Sequence, residues 1–157
     1  MADHYSKFAT ALKCDPETAD EEFKWLKLQA RRLADGKAVF GYSGGSGWKT
    51  ERHPIDANTI FLTSDDSFDQ EGLAVVLMNY LKKFNEETVL KVEWANTCSK
   101  SRPDEFGGGA MVISCDGFEL FHTSQWAMQK QSEWQELLTG NDLGFDDVID
   151  LEDDEEF

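Results

Sequence analysis

The sequence predicts an α+β fold: a ferredoxin-like β-α-β-β-α-β sandwich extended by a β-hairpin and a C-terminal helix. Two segments repeat apolar residues at three- and four-residue spacing, as amphipathic helices do, and strand-like segments flank each of them. The pair Asp116-Gly117 then separates two further strand-like segments, which is a strong hairpin signal. This order of elements is that of the split βαβ motif.

The first part of the chain predicts two strands around a helix. Residues 6–13 alternate apolar and polar side chains and form the first strand. Thr18 and Glu21 form a capping box, the helix follows with one apolar face, and Gly36 ends it. We expect the second strand at residues 38–43.

The central part predicts a strand, a helix and another strand. A long Gly-rich connection leads to the third strand at residues 59–63. Ser67 and Gln70 form a second capping box, and the helix ends in lysines, which suit the helix dipole. Residues 88–95 alternate cleanly and form the fourth strand.

The last elements complete one predicted domain, residues 1–140. The hairpin strands are residues 110–114 and 118–122, and Ser124 caps the final helix. We expect residues 141–157 to be a flexible acidic tail.

The chain is strongly acidic, with 31 Asp and Glu residues, 15 Lys and Arg residues and a net charge of −16. Nine acids and no base lie in residues 141–157, which leaves 22 acids against 15 bases in residues 1–140. Such a protein is repelled by nucleic acids and anionic membranes and is attracted to basic partners. Alternatively, the charge only keeps the protein soluble.

Composition excludes several classes of protein. No apolar run approaches the roughly 20 residues of a membrane span, and the N-terminus has no secretory pattern. Cys14, Cys98 and Cys115 are widely spaced and form no CxxC pair, which favours a reducing compartment and excludes a zinc site of the usual spacing. We expect a cytoplasmic protein without a metal or a cofactor.

The first candidate site is an anion site in the long loop after the fourth strand, residues 94–110. Its candidate ligands are two cations and three consecutive glycines: Lys100, Arg102, Gly107, Gly108 and Gly109. Backbone N–H groups of glycines can converge on an anion that the cations neutralise. The alternative is that the glycines form a bulge at the start of the fifth strand, and the loop lacks the P-loop order.

The segment WANTCSKSRPDEFGGGA in this loop resembles a motif of small uncharacterised bacterial and phage proteins. The resemblance covers mainly residues 88–126. It implies that the loop is a signature of such proteins, and it implies no activity.

The second candidate site is the Gly-rich loop 41–53, which places an aromatic side chain beside cations. Trp48 could stack on a base while Lys49 and Arg52 contact phosphate. The alternative is a hairpin tip whose Trp packs back on the sheet.

The third candidate site is the tail, in which acids alternate with apolar residues. Its candidate partner-binding residues are Phe145, Asp146, Asp147, Asp150, Glu152, Asp153, Asp154, Glu155, Glu156 and Phe157. From Glu152 onward the tail resembles those of bacterial and phage single-stranded-DNA-binding proteins, which implies recruitment of partner proteins. The alternative is a solvated, disordered tail.

Three functions follow from these candidates. The leading hypothesis is a non-enzymatic acidic binding protein, a nucleic-acid mimic or phage-type inhibitor, that engages a basic nucleic-acid-handling host or defence protein. The first alternative is a single-stranded-DNA-binding protein with a partner-recruiting tail. The second is a small-anion-binding or catalytic site at Gly107–Gly109. For catalysis, Cys98 with His122 is the one nucleophile–base pair that neighbouring strands could bring together, and we expect no enzyme.

Overall fold

A computed structural model describes residues 4–45, 47–101 and 106–140. These residues form six strands and three helices. The elements are β1 (His4–Lys13), α1 (Ala19–Ala34), β2 (Lys49–Arg52), β3 (Thr59–Ser64), α2 (Gln70–Phe84), β4 (Leu90–Cys98), β5 (Gly107–Ser114), β6 (Gly117–His122) and α3 (Thr123–Thr139).

The six strands lie in one antiparallel sheet in the order β2-β3-β1-β4-β5-β6. The predicted α+β class and the predicted order of strands and helices are confirmed. The β5–β6 hairpin extends the sheet beyond β4, as expected from the Asp-Gly pair, and Ser114 pairs with Gly117 across the turn.

The core lies between one face of the sheet and helices α1 and α2. Along β1, Phe8 and Leu12 are buried, whereas Lys7 and Ala9 are exposed, so that the strand buries one face only. Buried side chains of the strands, α1 and α2 form a single hydrophobic cluster. The amphipathic spacing of α1 and α2 is therefore explained by their position on the sheet.

The prediction of a strand at residues 38–43 is wrong. A tight turn occupies this segment, and two backbone hydrogen bonds of 2.9 Å between Val39 and Tyr42 close it. Phe40 and Gly41 have φ of 51° and 79°, and two consecutive residues with positive φ reverse the chain. The second strand of the sheet, β2, consequently lies in the segment that was predicted as a long connection.

Both predicted capping boxes are also wrong, whereas the helix stop at Gly36 is confirmed. Thr18 precedes α1, but its side chain makes no cap hydrogen bond and donates instead to Glu22 Oε2 at 2.6 Å. At α2 the N-cap is Asp69, whose side chain accepts from the Gly72 backbone N–H at 3.1 Å. Gly36 has φ of 80° and follows the last turn of α1.

The helix α3 belongs to a second compact unit of the chain, which begins at Thr123. Ser124 was predicted to cap this helix from the position before it, but it lies inside the first turn. No residue of α3 is buried, and its exposed large apolar side chains are Trp126, Met128, Trp134 and Leu138.

Candidate functional site

The glycines of the predicted anion loop are strand residues. Gly107–Gly109 belong to β5 and pair with the end of β4. A Cβ atom at Gly109 would lie 2.6 Å from Trp94 Cζ2 and would also collide with the carbonyl oxygen of Phe121. The missing side chains therefore allow three neighbouring strands to pack closely. The three glycines pair one-to-one with β4, so they do not form the bulge that was the alternative interpretation.

The nucleophile–base pair considered from the sequence is separated in the sheet. Through β5, His122 lies level with Trp94, and the two rings are 5.4 Å apart between centroids. Cys98 lies four residues farther along β4, which corresponds to about 13 Å along a strand. A direct hydrogen bond between these two side chains would need a rearranged sheet.

The Gly-rich loop 41–53 does not present its aromatic side chain to solvent. Trp48 is 6% exposed and belongs to the core. Arg52 donates to Asp20 Oδ1 at 2.7 Å and, through Nε, to the Ala57 carbonyl oxygen at 2.9 Å. Of the three predicted nucleic-acid contacts in this loop, only the side chain of Lys49 is exposed and unpaired within the described part of the chain.

Two sets of predicted residues lie outside the described residues. They are Arg102 in the anion loop and the tail residues from Phe145 to Phe157. Lys100, the other predicted cation of the anion loop, is described and exposed.

A partly exposed apolar surface is formed by α1 and the turn between Val39 and Tyr42. Phe40 is 52% exposed, and its ring centroid lies 5.8 Å from that of Trp25. Leu28, one turn after Trp25 in α1, is 45% exposed. We call Trp25, Leu28 and Phe40 the α1 aromatic surface.

Trp25 itself is half-buried and packs on Tyr80 and Phe84 of α2, so the exposed apolar area is that of Phe40 and Leu28. Exposed apolar patches of large side chains are typical of interaction sites.

The turn that carries Phe40 is anchored and strained. The φ of 51° places Phe40 in the left-handed region, which costs a bulky residue roughly 1–2 kcal/mol. The Tyr42 hydroxyl donates to Asp69 Oδ2 at 2.6 Å, which ties the turn to the start of α2. Burial and the Asp69 carboxylate raise the pKa of Tyr42, so that its hydroxyl remains a donor. Strain of this kind is concentrated at functional positions.

Carboxylates border the α1 aromatic surface. A shallow groove of about 550 Å³ is lined by Glu17, Asp20, Glu21, Lys24, Trp25 and Leu28. The hydrogen bond and charge of Arg52 lower the pKa of Asp20, so that this carboxylate stays ionised. With three carboxylates and a single lysine in its lining, the groove carries net negative charge.

No known protein family, curated protein or solved structure matches this chain. None of the helices in the described ranges is long and apolar enough to cross a membrane. Among the same residues, no group of three or more His, Cys, Asp and Glu side chains could hold a metal ion. The α1 aromatic surface offers apolar burial through Phe40 and Leu28 and charge pairing through the carboxylates of the adjoining groove.

The sequence patterns do not reveal this surface, because they predict a strand at residues 38–43. The signal that could have revealed it is the pair Phe40-Gly41, since a glycine at the second central position is typical of a two-residue turn. Such a turn leaves the Phe ring outside the sheet and free to contact α1.

Proposed function

We propose that this chain is a non-enzymatic acidic binding protein that engages a basic protein partner through the α1 aromatic surface. The observation that carries the proposal is the half-exposed Phe40 ring, which a strained and anchored turn holds against Trp25. Aromatic side chains are enriched in protein interfaces, and the fold maintains this one at an energetic cost.

The charge around the surface selects the kind of partner. Glu17, Asp20 and Glu21 line the adjoining groove, and the whole chain carries a net charge of −16. Cationic side chains of a partner would meet this rim, while an apolar side chain would cover Phe40. Charge complementarity of this type accelerates association and selects the partner, and apolar burial supplies most of the affinity.

The more specific form of the proposal is a nucleic-acid mimic or phage-type inhibitor of a basic nucleic-acid-handling host or defence protein. Net charge and the acidic sequence 141–157 support it, because a nucleic-acid-binding protein presents a basic surface. We also propose that the fold is ferredoxin-like, which the neighbouring strands β2-β3-β1-β4 support. That fold hosts many activities and does not decide among them.

Single-stranded-DNA binding with a partner-recruiting tail is the alternative proposal. The exposed Lys49 supports it, whereas Trp48 in the core would have to leave its position to stack on a base. Under this alternative, deletion of residues 141–157 tightens binding to single-stranded DNA, because the acidic segment competes for cations. Under the leading proposal, neither the full chain nor the shortened chain binds single-stranded DNA.

The leading proposal is tested by direct binding to a purified basic protein that the immobilised chain captures from a lysate. We expect Phe40→Asn to weaken this binding by about 30-fold, the effect of losing an interface hot spot of roughly 2 kcal/mol. The matched control is Phe121→Asn, since Phe121 is a 47% exposed Phe on β6. Equal affinity of the wild-type and Phe40→Asn proteins would overturn the proposal.

A salt series separates the charge contribution from the apolar one. We expect affinity to fall as the salt concentration rises, because salt screens the acidic rim. The double variant Glu17→Gln, Glu21→Gln should make the affinity less dependent on salt. Affinity that is independent of salt and of these two carboxylates would contradict a basic partner.

A further inference from the structure

We propose that the groove between α1 and β2 binds a small phosphorylated molecule. The groove has a volume of about 390 Å³ and is lined by Lys27, Ala30, Arg31, Ala34, Trp48, Lys49, Thr50 and Glu51. Its size falls in the range of roughly 300–1,000 Å³ that is usual for ligand sites. This site is separate from the α1 aromatic surface and does not depend on the proposed function.

Two cations of α1 border this groove. Lys27 and Arg31 lie one turn apart on the helix, and the Lys27 ammonium lies 5.3 Å from the centroid of the Phe23 ring. Within the part of the chain that the structure describes, neither cation forms an ion pair. In a chain with twice as many acids as bases, two cations that border one groove without carboxylate partners point to an anionic ligand.

Two buried neutral donors lie beside the cations. Trp48 is 6% exposed and Thr50 is 7% exposed, and both line the groove. The Trp48 indole N–H and the Thr50 hydroxyl have no hydrogen-bond partner among the described residues. A buried donor without a partner costs roughly 1–3 kcal/mol, and a ligand oxygen at this site would remove that cost.

Their placement follows from the register of the edge strand. Thr50 pairs with Leu62, a core residue of β3, so its side chain lies on the face of the sheet that α1 covers. Lys27 and Arg31 project from α1 at the same groove, one helical turn apart. Neutral donors in the depth of a groove and cations around it are the arrangement that holds an oxyanion.

The charge balance and the volume select the ligand class. Two cations match the charge of a phosphomonoester, which is about −1.5 to −2 at neutral pH. The groove has room for about a dozen waters at 30 Å³ each, which is more than one phosphate fills. We therefore expect a phosphorylated sugar or a similar hydroxylated phosphomonoester, and the net charge of −16 disfavours an extended nucleic acid.

The test follows the indole N–H resonances of the full-length ¹⁵N-labelled protein during titration with ribose 5-phosphate. We expect the Trp48 resonance, identified with Trp48→Phe, to shift saturably. The Trp94 indole is an internal control, because it is also buried with no hydrogen-bond partner among the described residues but belongs to β4 and does not line the groove. Ribose without phosphate is the matched ligand control and should cause no shift.

Variants decide whether the named residues hold the phosphate. We expect Lys27→Gln and Arg31→Gln each to weaken binding of ribose 5-phosphate about tenfold, as loss of a charge-assisted hydrogen bond predicts. Lys24→Gln, on the same helix but outside the groove, should change the affinity less than twofold. All three side chains are on the surface, so these variants test binding without disturbing the core.

Three outcomes overturn the proposal. The first is no shift of Trp48 with ribose 5-phosphate, and the second is an equal shift with ribose alone. The third is a shift with a single-stranded oligothymidylate but not with ribose 5-phosphate, which would assign the groove to a nucleic acid.

Discussion

The hydroxyl of Tyr80 donates a 2.5 Å hydrogen bond to Glu22 Oε1 in the interior of the protein, joining α2 to α1. The other carboxylate oxygen accepts from the Thr18 hydroxyl at 2.6 Å. Glu22 is 3% exposed and forms no ion pair with a described residue, so these two donors replace its hydration.

Replacement of Tyr80 by Phe should destabilise the protein by about 2–3 kcal/mol. The variant keeps the ring but leaves a buried carboxylate oxygen without its donor, and hydrogen bonds to charged groups are the costly ones to lose. Guanidinium denaturation measures the change. Tyr42→Phe removes a similar bond to Asp69 at a less buried position and should cost less. Equal costs for the two variants would mean that burial of Glu22 contributes nothing.

Cys14 should react slowly with thiol reagents in the folded protein. Burial, together with the neighbouring Glu22 carboxylate, raises the pKa of Cys14 from 9.0 to about 12. The thiolate fraction at pH 8 then falls by about 10³, and the greater nucleophilicity of a more basic thiolate restores part of the rate. We expect alkylation of Cys14 to be roughly 30-fold slower in the native protein than in urea. Mass spectrometry of the labelled peptides measures the two rates. A difference of less than threefold would contradict the raised pKa.

The raised pKa of Cys14 makes the stability of the protein depend on pH in the alkaline range. The folded state holds the Cys14 proton more tightly than the unfolded state, so this contribution is complete below pH 9 and is lost as the pH rises from 9 towards 12. Burial raises the pKa of Tyr80 as well, which acts in the same direction. Cys14→Ala should therefore lose less stability than wild type between pH 8 and 10.5 in urea denaturation. Parallel losses in the two proteins would rule out Cys14 as a contributor.

The element order was predictable because burial on one face imposes a period on the side chains. Phe8 and Leu12 in β1 show the period of a strand, and the buried residues of α1 and α2 show that of a helix. The hydrogen-bond partners of individual side chains were less predictable. Thr18 was expected to cap α1, but its hydroxyl bonds to Glu22, since a buried carboxylate needs a donor more than an exposed helix end does.

The sequence pattern pointed only to those parts of the candidate sites that lie within one segment. The loop 41–53 contains Trp48 and Lys49, which line the α1–β2 groove, although Trp48 lies there as a buried donor and not as a stacking ring. The α1 aromatic surface depends on a contact between Trp25 and Phe40, which belong to different elements. A single segment has no pattern that reveals such a contact.

Substitution of Gly109 by Ala should destabilise the protein by at least about 2 kcal/mol. Its Cβ would collide with Trp94 Cζ2 at 2.6 Å and with the Phe121 carbonyl, and the strand backbone has no room to move away. Thermal unfolding measures the loss. Gly117→Ala is the matched control in β6, because no atom lies within 4 Å of its Cβ position. If Gly109→Ala proved as stable as Gly117→Ala, the glycine run would need a role other than strand packing.

Phe40→Asn should separate stability from binding. Asn tolerates the left-handed conformation better than Phe, while the exposed ring contributes only part of its area to contact with Trp25. We therefore expect a free energy of unfolding within about 1 kcal/mol of wild type, measured by urea denaturation. A loss above about 2 kcal/mol would show that the Phe40 ring serves the core, and its strained turn would then need no binding role.

Thr50→Val should leave the ligand-free protein as stable as wild type or more stable by up to about 1 kcal/mol. Val has the shape of Thr and a higher strand propensity, and the Thr50 hydroxyl has no partner among the described residues, so that its removal relieves a desolvation cost. Thr59→Val is the matched control in β3. Thr59 is 5% exposed and its hydroxyl donates to Asp56 Oδ2 at 2.9 Å, so this variant should lose about 1 kcal/mol. If guanidinium denaturation showed equal losses for both variants, the Thr50 hydroxyl would already be satisfied in the free protein, and the α1–β2 groove would lose one of its two buried donors.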